Sequence, residues 1–479
     1  VEPAPRVPST REAHQARRSR SDTTTIPPKC VMPKLLTILF TPLLYASCVA
    51  PPEMYGERLA SWERSNDTFA TEPRGDIEFD EGAGPLEQIL RSARSRNPGL
   101  EASFQRWRAA LERVPQATTL PEPRLTLGVY LAEVETRVGP MQGRVGIAQP
   151  FPWFGKLELA GNASFEAAEA ARELLEATRL ELEYAIRDTW YEYAYLETAI
   201  EVTEGNRALL VHWESVARAR FETGLGQHSD VIRAQVELGK IEDRVQTLTD
   251  LRRPLVAKLN AALDRDGSAE LPRPTGALPV PPAIDGLGGT ESLDATNPML
   301  RAYEHRIAAA RYGVGLADKE FFPDFTVGVD YTLIGSATNA GVPDSGEDAI
   351  AVTLGFELPV WRSSYRAGVR EAEAIERAMT LERSQLRNRL AAELEMALYR
   401  FRDADRRLEL FRDALVPKGE ESVEALDSAY QSGDQGFLDL IDAQRILLEF
   451  QLQVARAESD RAQSAAEIER ITGLPLHAH

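Results

Sequence analysis

The stretch Phe221-Glu-Thr-Gly-Leu-Gly-Gln-His-Ser-Asp-Val-Ile-Arg-Ala-Gln235 is written a second time, 209 residues later, as Tyr430-Gln-Ser-Gly-Asp-Gln-Gly-Phe-Leu-Asp-Leu-Ile-Asp-Ala-Gln444. Each copy places glycines between two polar, helix-favouring runs, the pattern of a tight turn between helices. Working outward, Asn97-Pro98-Gly99-Leu100 returns as Asn297-Pro298-Met299-Leu300, and Pro121-Glu-Pro-Arg-Leu-Thr-Leu-Gly-Val129 returns as Phe322-Pro-Asp-Phe-Thr-Val-Gly-Val329. A period of about 200 residues is a duplicated domain rather than a solenoid unit.

Inside each copy, apolar residues alternate where strands are expected: Leu125, Leu127, Val129, Leu131 with Val145, Ile147, and then Phe325, Val327, Val329, Tyr331, Leu333 with Ile350, Val352, Leu354, Phe356. Period two over about ten residues marks a strand with one apolar face. The segments 133–142 and 336–347 supply the Gly and Pro of hairpin loops. Four strands per chain follow, as hairpins over 124–151 and 324–359.

After each hairpin the period changes to 3.5. Leu182, Ile186, Thr189, Tyr193, Leu196 and Ile200 in the first copy match Leu390, Leu394, Ala397, Phe401, Ala404 and Leu408 in the second, where the seam continues to Phe411 and Leu415. Steps of four and three are a coiled-coil seam. Long helices are predicted over 157–222 and 364–431, each roughly 100 Å at 1.5 Å per residue, with a kink or hinge at Pro417 in the second. Return helices follow over 229–262 and 437–472, with seams at Leu238, Ile241, Val245, Leu248 and at Leu447, Phe450, Val454, Ala457. One shorter helix precedes each hairpin, at 85–114 and 298–320. The organisation is therefore repeat 1 at 85–263, a non-helical connector at 264–296, repeat 2 at 297–473 and a tail at 474–479.

The start of the chain reads as processing. Residues 1–31 lack periodicity and Met32 is the expected initiator; Lys34, the apolar run Leu35 to Tyr45 and Ala46-Ser47-Cys48 then follow the layout of a secretory signal, so 1–47 is an upstream extension plus signal peptide. The pattern is similar to a bacterial lipoprotein signal that leaves Cys48 lipidated, with an ordinary signal peptide as the alternative. Residues 48–84, with Pro51-Pro52 and Asp76-Ile-Glu-Phe-Asp-Glu81, are expected to be irregular.

Composition narrows the function classes. The net charge is −19, and residues 1–47 hold seven Lys/Arg against three acids, so the remainder is more negative still and disfavours nucleic acid as a partner. Two cysteines, both near the start, exclude a disulfide framework and a Cys-based zinc site. No phosphate loop, nucleophile elbow or metal-ligand cluster is written, so no enzyme is expected and no cofactor is implied. His228 and the His477-Ala-His479 tail are expected to be solvated rather than metal-binding. Trp190-Tyr-Glu-Tyr-Ala-Tyr195 is expected to pack between helices.

No run of 18 apolar residues exists, yet alternating strands can line a membrane barrel. Four strands cannot close one, and lipid does not tolerate open edges, so closure has to come from further copies. Two copies would make eight strands filled by their own side chains, and three would make twelve strands with room for a lumen.

The duplicated plan, the Gln149-Pro-Phe-Pro-Trp-Phe-Gly-Lys156 exit from the second strand with its counterpart Leu358-Pro-Val-Trp361, and the Tyr430-x-x-Gly433 to Asp439-x-x-Asp442-Ala-Gln444 turn resemble the TolC-like outer membrane efflux proteins over about 85 to 473. The resemblance implies a mixed α and β membrane protein: a homotrimer with a 12-stranded β-barrel in outer membrane lipid and a coiled-coil α-helical barrel through the periplasm. It also implies docking to a periplasmic adaptor and an inner-membrane pump of the RND type, so that the duct passively conducts small toxic compounds or metal cations outward. The wording around Trp153 is most similar to the heavy-metal and cation branch. A type I protein-secretion duct shares the plan, and a periplasmic coiled-coil adaptor or structural lipoprotein is the reading of another class. By the resemblance, Asp439 and Asp442 form acidic rings at the periplasmic entrance, and Tyr430 and Asp230 belong to its closing network. The family's arginine there is replaced by Gln435. Asp439 and Asp442 also stand where carboxylates cap a helix start.

Overall fold

A computed structural model describes residues 49–71, 79, 84–276, 278 and 292–476, with the side chains of 67–71 left aside. The expected leader, Cys48 and the terminal histidines His477 and His479 lie outside these residues.

The first difference from expectation is a helix, α1 (Tyr55–Thr71), inside the segment expected to be irregular. It forms because it has something to pack on. Trp62 stacks on Phe104 with centroids 5.2 Å apart, Arg108 lies 4.5 Å over the Trp62 ring, and Arg58 Nε is 2.9 Å from Glu169. The helix expected over 85–114 is three: α2 (Pro85–Arg96), α3 (Pro98–Leu111) and α4 (Arg113–Thr118). Pro98 forces Asn97 out of the helical region, to φ −65° and ψ 119°, and Pro115 has no N–H to continue α3.

The repeated Asn-Pro-x-Leu words have one structural meaning. Asn97 accepts from the Leu100 N–H at 3.0 Å and donates to the Ala262 carbonyl at 2.9 Å. Asn297 accepts from Leu300 at 3.1 Å and donates to Ile471 at 2.8 Å. Each side chain caps the helix it begins and ties it to the end of its own repeat's return helix.

Strands β1 (Arg124–Thr136) and β2 (Gly139–Phe151) turn through Arg137-Val138 alone, where a longer loop over 133–142 is expected; the register instead slips between Val129 and Val134. Strands β3 (Asp324–Ile334) and β4 (Ala349–Glu357) complete one antiparallel sheet in the order β1-β2-β3-β4, with Ile147 opposite Val329 and Val329 opposite Val352. The predicted alternation holds. Leu127, Val129 and Leu131 stand 71%, 78% and 99% exposed on one face, level with Val145, Val352 and Leu354. Among the described residues no helix is long and apolar enough to cross a membrane.

The first long helix, α5 (Lys156–Glu222), and its return, α6 (His228–Ala262), follow β2. Pro254 sits inside α6 without ending it. The connector holds one helical turn, α7 (Leu293–Thr296), and is otherwise non-helical where it is described. Repeat 2 contributes α8 (Pro298–Lys319), α9 (Arg362–Glu409), α10 (Val416–Ser432) and α11 (Phe437–Thr472).

Between α9 and α10, residues Leu410–Leu415 form a π-helix just ahead of Pro417. Proline cannot donate to the carbonyl four residues back, and the wider turn absorbs the misfit at the expected kink. It also ends the seam. Leu390, Leu394, Ala397, Phe401, Ala404 and Leu408 are buried as expected, whereas Phe411 and Leu415 are only partly so, because a wider turn breaks the 3.5 period.

Helix α5 packs on α3 and α8 near the sheet and on α6 and α11 beyond it, and α9 packs on both α8 and α11. Trp190, Tyr191 and Tyr193 fill the core among Ile89, Leu90 and Leu259. Thus β1, α3 and α6 end one side of the unit at successive levels, and β4 with α9 ends the other.

Candidate functional site: the paired helix turns

The two repeated turns lie side by side at the end of α5 and α10. Helix α10 stops because Gly433 adopts φ 90°, a left-handed conformation open to glycine, and its N–H returns to the Ala429 carbonyl at 3.1 Å. Helix α5 stops at Thr223, followed by Gly224 at φ 77°.

Of the four entrance residues expected from sequence, Tyr430 is buried and Asp230 is half-buried in the first turn of α6. The Tyr430 ring packs 5.2 Å from Phe437. Burial raises its phenol above the ordinary value, the Asp230 charge adds to that, and Arg220 opposes it. The hydroxyl has no hydrogen-bond partner among the described residues, so Asp230 acts on it through charge alone.

Asp439 and Asp442 are exposed in the opening turns of α11. Neither caps it: the N-cap is Gly436, and no side-chain cap bond is made. Asp442 pairs with Arg445 at 2.9 Å, and Arg445 reaches on to the buried Glu237 of α6. That hydrogen bond holds the Glu237 carboxyl below its ordinary value against the effect of burial, with Lys240 adding to it at 2.8 Å. Asp439 has no ion-pair partner among the described residues. The two carboxylates that look alike in sequence are therefore different: one neutralised, one free.

Arg220 is the residue that sequence reasoning missed. Its Nη1 donates to the Tyr430 carbonyl at 2.5 Å and to the Gln431 carbonyl at 2.8 Å, and its guanidinium lies 4.9 Å over the Tyr430 ring. A cation on the last carbonyls of a helix is favoured by the helix dipole. The cation that the resemblance would put in the second turn is absent, because Gln435 stands there. A cation comes instead from the last turn of α5, and the available signal was a basic residue next to Phe221 at a helix end.

Behind the turns, Gln444 donates to Asn206, and Asn206 donates to Gln451 at 3.0 Å, a polar link across α5 and α11 within the apolar seam. Gln235, the counterpart of Gln444, instead reaches the half-buried Glu214, which pairs with the exposed Arg218. His228 rests 5.0 Å from the Phe221 ring. Among the described residues no group of three or more His, Cys, Asp or Glu is placed to hold a metal.

At the opposite end, the Gln149–Lys156 exit is explained by Asp324. The Trp153 N–H donates to it at 2.7 Å, and Lys156, buried at the start of α5, approaches it at 2.9 Å and Glu320 at 3.2 Å. Trp153 stacks on Phe322 at 5.4 Å. The strand exit of repeat 1 is thus bolted to the strand entry of repeat 2.

A family model described as outer membrane efflux protein matches residues 89–263 and 290–474. The chain is 23% identical over 409 residues to the cobalt-zinc-cadmium resistance protein CzcC of Cupriavidus metallidurans, covering 82% of this chain and 91% of that one. It is 24% identical over 474 residues to the pyoverdine export outer membrane protein OpmQ of Pseudomonas putida, covering 93% and 96%. Among solved structures, the outer-membrane channel OprN superposes with a TM-score of 0.69 at 21% identity, covering 85% of this chain and 95% of that one.

Proposed function

The chain belongs to the outer membrane efflux protein family, and from that premise we propose that three copies of it close into one exit duct served by a periplasmic adaptor and an RND-type inner-membrane pump. The protein is an outer membrane efflux channel with a helical periplasmic extension. The observation that carries the proposal is the pair of unpartnered sides. Strands β1 and β4 are both open edges in a sheet whose outward face is apolar, which lipid does not tolerate singly. On the β4 side, α9 also leaves Ile375, Leu381, Met396 and Tyr399 exposed. Such unlike sides fit head to tail and close as a ring, and three chains supply twelve strands. Light scattering with detergent correction tests this: a trimer is expected, and a folded, monodisperse monomer would overturn it.

At the far end of α5 from the sheet, the turns would stand together around the periplasmic entrance, with Asp439 and Asp442 facing incoming cargo and Tyr430 and Asp230 in the closing contacts. The cargo proposed is small: metal cations or small toxic compounds. CzcC and OpmQ, named for metal resistance and for pyoverdine export, support small cargo more than a secreted protein. Metal sensitivity of a deletion strain, restored by the gene, is the readout.

Cys48 would carry lipid at the periplasmic leaflet. Val49, the next residue, donates its N–H to the Thr118 carbonyl at 3.3 Å, close to where β1 begins, which supports an anchor at membrane level. Intact mass of the mature chain decides it. An unmodified mass, or Cys48→Ser with no loss of lipid, would refute the anchor and leave the duct untouched.

A further inference from the structure

The face of the sheet opposite the apolar one is lined largely by small residues, among them Gly128, Gly146, Ala148, Gly328, Ala351 and Gly355. In the closed barrel this face is the lumen, a step that rests on the trimeric duct proposed above. Twelve strands about 4.8 Å apart and tilted about 40° enclose a backbone radius of roughly 12 Å. With linings this small, most of that width stays open.

Among the described residues, one ion pair joins two side chains that both stand on this face. Arg144 of β2 donates through Nε to Asp330 Oδ1 at 2.9 Å, and its Nη2 lies 2.8 Å from Oδ2, a two-point contact. Asp330 reaches it by lying across Gly146, its direct partner in the ladder. A Cβ on Gly146 would stand 2.2 Å from Asp330 Oδ1, so glycine is what lets the pair lie flat on the wall. The other charges on the face are Arg124 on the β1 edge, Glu357 at the end of β4, and Asp324, which Lys156 already holds.

We propose that Arg144 and Asp330 determine the charge selectivity of the barrel lumen, each cancelling the other so that cargo of either sign passes. The flat, bidentate geometry removes both charge and bulk from the bore. Breaking the pair in three chains would leave three like charges on one level. At a radius of roughly 12 Å their field fills the bore at 0.01 M salt, where the screening length is about 30 Å, and collapses at 1 M, where it is about 3 Å.

The test is reversal potential in planar bilayers under a KCl gradient, at low and high salt, for trimers verified by heat-modifiable migration. Asp330→Asn should shift the permeability ratio toward chloride and Arg144→Gln toward potassium, each about threefold near 0.01 M and little at 1 M. The double variant should return to the wild-type ratio, as should the swap Arg144→Asp with Asp330→Arg, which keeps a pair if a single variant fails to assemble. Opposite shifts that cancel support the proposal. No shift in either single variant, or shifts of one sign in both, would overturn it. A wild-type protein without conductance would instead refute the duct itself.

Discussion

Arg220, in the last turn of α5, caps the last turn of α10 through the Tyr430 carbonyl at 2.5 Å, so the turn of one repeat is held by a side chain from the other. Hydrogen bonds from a charged donor contribute roughly 1.5–3 kcal/mol when dry, and the partial exposure of Arg220 lowers that to about 1 kcal/mol. The contact is thus strong enough to bias the two turns together and weak enough to be broken by a docking partner. Arg220→Gln should widen the distance distribution between spin labels at Leu225 and Asp434 and raise conductance of the resting channel. Unchanged distances would show that the neighbouring apolar seam alone holds the turns.

Trp62 should govern whether α1 stays docked. Its ring is nearly buried against Phe104 under the Arg108 guanidinium. Removing a buried tryptophan costs about 3–5 kcal/mol, more than a 17-residue helix can recover from its own backbone. Trp62→Ala should therefore strip hydrogen-exchange protection from residues 55–66 while the trimer persists. Retained protection would mean that the Arg58–Glu169 pair suffices.

Arg220 and Trp62 mark the limit of what the sequence makes legible. The seam at Leu390 to Leu408, the strand alternation and the turn positions were readable because a buried face imposes a period, and the duplication repeated each signal. Helix α1 was not. Its composition is polar, and its order comes from Trp62 and Arg58 meeting a surface built by residues over forty positions away. At the turns, the sequence places Asp439 and Asp442 on one helix start but cannot say that Arg445 claims only the second. Arg220 was hidden for the same reason, since its partners are backbone carbonyls and carry no side-chain signature.

His305 should give the protein a pH-dependent stability. Its Nδ1 is 2.6 Å from Glu166, and α5 also presents Glu169 and Glu173, themselves held by Arg172, by Arg58 of α1 and by Arg301 of α8. The Glu166 hydrogen bond raises the imidazole above its ordinary value against burial, with the charges of Glu166, Glu169 and Glu173 adding to it. A raised value means that the folded state holds the proton more tightly. The stabilisation is complete below about pH 6.5 and is lost as pH rises through the folded value. Thermal melting should show the midpoint falling across that interval and His305→Gln should flatten it. An equal slope in the variant would place the dependence elsewhere.

Asp439 should carry most of the cation affinity of the entrance. Three copies of Asp439 and Asp442 bring six carboxylates to one opening if the duct is trimeric, but Arg445 neutralises each Asp442, so three charges remain uncompensated. Multivalent cations added on the periplasmic side should block the channel, with block weakened by salt. Asp439→Asn should remove most of that block and Asp442→Asn little. Arg445→Gln should strengthen it, because it frees Asp442 while Lys240 still holds Glu237 at 2.8 Å. Because neither aspartate makes a capping bond, each substitution should cost less than the roughly 0.5–2 kcal/mol of a lost cap, and trimers should survive. Single-channel recording separates the cases: equal loss of block in both aspartate variants would mean that Arg445 leaves Asp442 while the channel conducts, and no loss in either would move the cation site away from the start of α11.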